Sequence, residues 1–270
     1  IAVFGMRFLF PVLVVSVFSK LDMITVTKIA LTDADKYASY LHATHAPIVT
    51  FGGMFLILLF LNYFFNHKKT VHWIKPIEAP LSHLDHINGI EIIISLLTLI
   101  GVQNFIPQED KVSVILSGLA GIITFLAIDG IAHFLEKHEE MRNAHCAVEG
   151  VKCAGLISFI YLELIDASFS LDGVLGAFAL SNDVLIITIG LAIGAMFVRS
   201  LTILLVEKKT LAKFLYLEHG AHWAIGALAI IMLVTTVKEV PEVVTGLIGL
   251  VFIVAALISS IVHNKRQKAE

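Results

Sequence analysis

Apolar runs of roughly 18 to 30 residues alternate with short polar stretches along most of this chain. Eight runs stand out: Ile1–Phe18, Leu41–Phe65, Ile87–Ile106, Val112–Leu135, Val151–Leu180, Val184–Val206, Phe214–Val237 and Val243–Val262. A helix rises 1.5 Å per residue, so about 20 apolar residues cross the roughly 30 Å hydrocarbon core of a bilayer. Each run therefore predicts a transmembrane helix, since lipid offers no partner to an unpaired backbone N–H or C=O. The fifth run is too long for one straight crossing, and Gly173 and Gly176 fall in its second half. The expected fold is all-α, a polytopic transmembrane helix bundle.

Composition agrees with the pattern. Hydrophobic residues make up 57% of the 270 positions and charged ones 15%, and the mean hydropathy is +0.89. A net charge of −3 gives no footprint for a nucleic-acid partner, so the partner expected is the lipid bilayer itself. Cys146 and Cys153 form neither a disulfide framework nor a zinc-ligand pattern. The chain opens on Ile1 inside an apolar run, without Met, and reads as N-terminally truncated. Alternate loops collect Lys68, Lys69, Lys75, Lys137, Arg142, Lys152, Lys208, Lys209, Lys213, Lys265, Arg266 and Lys268 on one side. The other side receives Lys20, Lys28, Lys36, Lys111 and Lys238. This bias predicts a protein of the inner (plasma) membrane whose C-terminus and Asn66–His86 and Glu136–Lys152 loops are cytoplasmic.

The sequence also echoes itself. Met6–Val15 (MRFLFPVLVV) resembles Val198–Glu207 (VRSLTILLVE), and Tyr40–Ile48 (YLHATHAPI) resembles Leu217–Ile225 (LEHGAHWAI). An odd number of helices separates the partners, so the copies are expected in opposite orientations, the inverted-topology repeats of secondary transporters. The chain then reads as a single transmembrane domain over 1–270. Within it, 1–65 is a remnant of the first repeat, 66–150 connecting helices and cytoplasmic loops, 151–240 the second repeat, and 241–270 the last span and basic tail. By the same logic an acid-bearing helix is expected upstream of Ile1.

Chemistry concentrates in Leu162–Leu180, where Glu163, Asp166 and Asp172 fall within ten residues of an apolar run. A carboxylate at mid-span costs about 2.5–3.5 kcal/mol on insertion scales, so three acids are expected to face an interior. Glu163, Asp166 and Ser170 share a face through their i,i+3 and i,i+4 spacings. The weak helix formers of Ser168–Gly173 predict a break that turns Asp172 toward Asp166 and frees carbonyl oxygens. Carboxylates, a hydroxyl and carbonyls form a hard oxygen site suited to Mg²⁺, Ca²⁺ or Mn²⁺. The alternative is acids neutralised by protonation or by Arg7 and Arg199, serving packing alone.

Ile165-Asp166-Ala167-Ser168-Phe169-Ser170-Leu171-Asp172-Gly173 resembles the second acidic motif of the TerC family, Ile-Asp-x-x-Phe-Ala-x-Asp-Ser, with Ser170 and Gly173 as departures. Gly190–Leu201 resembles the family's Gly-Leu-Arg helix, with Arg199 at the Arg position. Nearly the whole chain resembles a TerC-like family of uncharacterised bacterial integral membrane proteins grouped with the LysE transporter superfamily. Leu162–Leu180 and Phe214–Ala229 carry that likeness most specifically. The family's first acidic motif is absent, which matches the helix expected upstream. The resemblance implies efflux of a divalent metal ion, Mn²⁺ foremost, or a role in metal-stress and tellurite resistance.

On this reading Asp166 and Asp172 ligate the cation, Glu163 ligates or accepts protons, and Ser170 supports. The cation is cargo, and no cofactor is expected to stay bound. Arg199 and Arg7 either gate the cavity and pair with the acids or snorkel to the interface. His42, His45, His219 and His222 at span entrances, with Glu218 beside them, are interfacial anchors, proton relays or a secondary metal site. Asp129 and His133, spaced i,i+4, are a proton path or a helix–helix hydrogen bond. Gly190 and Gly194 predict close helix packing. The histidines of the two polar loops, His83, His86, His138 and His145, with Cys146, are expected to be solvated. No enzyme is expected: a His-based membrane metalloenzyme needs its pairs on one side, and the span count puts them on opposite sides. A non-transporting scaffold in a stress-resistance complex is the other alternative. The sequence sets no oligomeric state.

Overall fold

The computed structural model describes residues 21–33, 44–65, 73–74, 76–78, 80, 89–108, 110–149, 184–207, 214–238 and 240–267, with single positions at 12, 16, 17, 19, 36, 39 and 40. Among the described residues the regular elements are helical and no strand occurs. They are α1 (Met23–Thr32), α2 (His45–Phe65), α3 (Ile90–Gln103), α4 (Lys111–Glu149), α5 (Val184–Glu207), α6 (Leu217–Thr235) and α7 (Glu242–Gln267). Among the described residues four segments are long and apolar enough to cross a membrane: His45–Phe65, Lys111–Ile131, Leu217–Thr235 and Leu247–Arg266. Ile90–Gln103 and Ile189–Leu204 are shorter apolar helices. The chain is a multi-pass helical membrane protein.

Six of the eight apolar runs thus coincide with described helices. Val151–Leu180 lies outside the described residues, as does nearly all of Ile1–Phe18. The third run is trimmed to 14 residues, because Gly89 at φ 80° starts the helix and turns at Asn104 and Phe105 end it ahead of Pro107. Two polar stretches read as loops are helical in part. The Ser19–Tyr40 loop holds α1, whose N-cap Asp22 accepts from the Ile24 amide at 3.1 Å. The Glu136–Lys152 loop continues α4 to Glu149, since its Glu, Lys and Arg residues are good helix formers without being apolar.

The chain divides into two compact units, 1–44 with 123–192 and 45–122 with 193–270. The first holds α1, α4 beyond Ile122 and α5 up to Ala192. In the second, α6 packs against both α2 and α7, and α3 packs against α2. α2 is its centre: 72% of that span is buried, against 11% for Leu247–Arg266 of α7. This is why α2 is apolar all round, while α7 has two faces. Ala256 and Ser260 are buried on the inner face of α7, and Leu247, Leu250, Val251, Val254, Ile258 and Ile261 are exposed on the outer one. Such an apolar face is a liability in water and ordinary in lipid.

α2 and α6 run antiparallel. Phe60 meets Trp223, Tyr63 meets His222, and Gly53 lies against Leu233 and Ala229, so numbering rises on one helix as it falls on the other. Glycine allows the closest approaches. A Cβ on Gly121 of α4 would strike the Phe51 carbonyl oxygen of α2, and one on Gly220 of α6 would strike Ala256 of α7. Gly190 and Gly194 do not play the expected part: no atom lies within 4 Å of a Cβ built on either. The spacing permits close packing but requires a facing helix, and none of the described elements supplies it.

Candidate functional site

The second unit buries a carboxylate. Glu78 is 2% exposed, although it lies in the polar stretch between α2 and α3. Trp73 and Ile74 form a bend ahead of helical Pro76, Ile77 and Glu78, and the Glu78 and Ile77 amides donate to the Ile74 carbonyl at 2.9 and 3.0 Å. The Glu78 side chain folds back over the start of this turn and accepts from the Trp73 and Ile74 amides at 2.8 and 3.2 Å. That is the logic of a capping box, an acid returning to the free N–H groups ahead of its own helical turn.

The same carboxylate fastens the turn to α6. Oε1 accepts from the Trp223 indole N–H at 2.9 Å, and Nε2 of His219 stands 3.7 Å from Oε2. His219 and Trp223 are four residues apart on one face of α6, and the His219 side chain is 6% exposed. Three N–H donors offset most of the cost of desolvating an anion here, several kcal/mol for an unpaired one. Aromatic rings wall the site. Trp223 packs against Phe60 and Phe64 at 5.4 and 5.1 Å between centroids and stacks on Phe252 at 6.2 Å.

Tyr63, at the end of α2, bridges this core to the surface. Its ring lies flat on the His222 imidazole, 3.4 Å between centroids and 5° between planes, and meets His219 edge-on at 5.7 Å. Its phenol lies beside the Glu218 carboxylate, and Glu218 is exposed. His222 Nδ1 engages the Glu218 carbonyl at 2.9 Å. At the start of α6, the Tyr216 amide donates to Ser260 Oγ at 2.9 Å and the Tyr216 hydroxyl reaches His263 Nδ1 at 3.5 Å, tying the start of α6 to α7.

Of the candidates read from sequence, His219, His222 and Glu218 therefore come together. Glu78, Tyr63 and Trp223 join them unannounced. Glu78 lies within the Asn66–His86 loop, which was read as part of a solvated surface, and it is buried because α6 offers it a donor. His45 opens α2 and is half-buried. Asp129 and His133 pair on α4 at 3.9 Å with side chains 37% and 74% exposed. Arg199 is exposed on α5. Glu163, Asp166, Ser170, Asp172, Arg7 and His42 lie outside the described residues, as do His83 and His86 and the side chains of His138, His145 and Cys146. Among the described residues no three His, Cys, Asp or Glu side chains are placed to hold a metal ion. A groove of about 510 Å³, lined by Ile57, Val102, Phe105, Ile230, Leu233 and Lys238 among others, lies elsewhere in this unit.

A family model described as "Protein of unknown function (DUF475)" matches residues 1–267. No curated protein and no solved structure matches the chain.

Proposed function

The chain belongs to the DUF475 family, proteins of unknown function, and we propose that it is a multi-pass carrier that exports a divalent cation of the Mn²⁺ type across the inner membrane. The observation that carries this reading is the set of acids Glu163, Asp166 and Asp172 in one apolar stretch of a membrane protein. Ionisable groups at membrane depth are costly and mark ion pathways. Asp166 and Asp172 are assigned as ligands, Glu163 as ligand or proton acceptor, Ser170 as a supporting oxygen, and Arg199 with Arg7 as charge partners. The likeness of Ile165–Gly173 to the TerC acidic motif supports the assignment.

Two packing facts lend it further support. The helices of the His-x-x-His echo, α2 and α6, lie antiparallel, as inverted repeats require. The second unit also buries an ionisable pair, Glu78 and His219, beside apolar helices, and such groups at membrane depth are costly.

Reconstitution of the full-length protein in liposomes tests the proposal. Mn²⁺ should cross faster than in protein-free vesicles, with Mg²⁺, Ca²⁺ and Zn²⁺ as comparisons. Asp166→Asn should reduce the flux to the protein-free rate while the variant still inserts into the membrane. Equal flux with and without the wild-type protein would leave the scaffold alternative in its place.

A further inference from the structure

Glu78 and His219 are a buried pair that the cation site does not use, and their surroundings say what they bind. The carboxylate already accepts three N–H groups, from Trp73, Ile74 and Trp223. A metal ion at Glu78 would have to displace them, and no third His, Cys, Asp or Glu ligand stands by among the described residues. His219, whose Nε2 stands 3.7 Å from Oε2, is the cluster's one side chain beside that carboxylate of a type that takes up a positive charge and gives it back.

We propose that His219 is a proton-binding site, in which Nε2 takes up a proton from the aqueous side and the imidazolium pairs with the Glu78 carboxylate. An N–H bond forms on Nε2, the proton leaving a carboxylic acid or hydronium outside, and the reverse transfer releases it. The titratable groups facing the pair are Tyr63 from α2, Glu218 and His222 on α6, and His263 on α7, which reaches α6 through Tyr216. Tyr63 lies edge-on to His219 with its phenol beside exposed Glu218. Proton uptake tightens the hold of the 73–80 turn on α6 and release loosens it. This site stands on the geometry of the second unit alone. Its further role, as the proton exchanged for an exported cation, rests on the carrier reading.

The chain has two tryptophans, and both flank Glu78: one by its backbone amide, the other by its indole. Intrinsic emission therefore reports on this site. Purified full-length protein in detergent is titrated from about pH 8 to about pH 5, the range in which a histidine changes charge. Tryptophan emission should fall in one reversible single-proton step in wild type and in His222→Gln, and the step should be lost in His219→Gln. A flat emission curve in wild type overturns the proposal, as does an unchanged step in His219→Gln. If His219→Gln loses its helical circular dichroism, NMR of the wild-type Trp223 indole N–H, assigned through Trp73→Phe, decides instead. The resonance should follow a single-proton curve over the same range, and a stationary one refutes the site. Proteoliposome flux is read separately, so a titrating His219 in a protein that moves no cation would refute the carrier alone.

Discussion

Glu78 shows what a buried acceptor does when several donors share it. Glu78→Ala leaves two backbone amides and the Trp223 indole without their acceptor. At about 1–3 kcal/mol per unsatisfied buried donor, with the two amides near enough to the surface to recruit water, the expected loss is about 2–4 kcal/mol. Glu78→Gln retains a carbonyl oxygen and should lose roughly half as much. Trp223→Phe keeps the ring contacts with Phe60, Phe64 and Phe252 and deletes one N–H to a charged acceptor, which costs about 1.5–3 kcal/mol. Thermal unfolding in detergent should rank Glu78→Ala below both milder variants, and a Glu78→Ala protein as stable as wild type would show that water replaces the carboxylate. Nothing local in the sequence marks this residue. It sits in a polar stretch rich in Lys and His, and its burial depends on a helix whose Trp223 lies 145 positions away. His219 and His222 were legible because a polar pair at i,i+3 in an apolar run is conspicuous.

Among the helices, glycine placement separates contact from coincidence. Gly121 lies against the Phe51 carbonyl of α2, a backbone atom that cannot turn aside as a flexible side chain could. Gly121→Leu should therefore force α4 away from α2 and cost about 1–3 kcal/mol or more. Gly194→Leu, on an exposed stretch of α5, should stay within about 0.5 kcal/mol of wild type. Melting of the two variants side by side checks the contrast, and equal destabilisation would contradict the α2–α4 contact. A Gly-x-x-x-Gly spacing describes one helix surface, whereas packing needs two. The long apolar helices proved more legible than helix contacts, whereas the local signal of a cap such as Asp22, which acts over one turn, was passed over. Apolar windows, however, pass over α1 and the distal part of α4, which are helical without being uniformly apolar.

For the whole molecule, the apolar outer face of α7 and the four membrane-length segments make the bilayer its solvent. Orientation is expected to follow from where the cations collect. A reporter fused after Lys268 should be active only in its cytoplasmic form, because Lys265, Arg266 and Lys268 resist translocation. Activity of a periplasmic reporter at that point would reverse the topology and move Glu218 and His219 to the other side of the membrane.

What the sequence determined by itself is the solvent and the elements. Apolar length and helix-forming composition are read along one dimension, so α2, α4, α6 and α7 could be placed without knowing their neighbours. Tertiary structure alone decided that Glu78 is buried, that Tyr63 lies on His222, and which glycines meet a facing helix. Those facts depend on which surfaces of distant segments come together, and a hydrogen-bond donor supplied from across a helix interface leaves no trace in the residues around its acceptor.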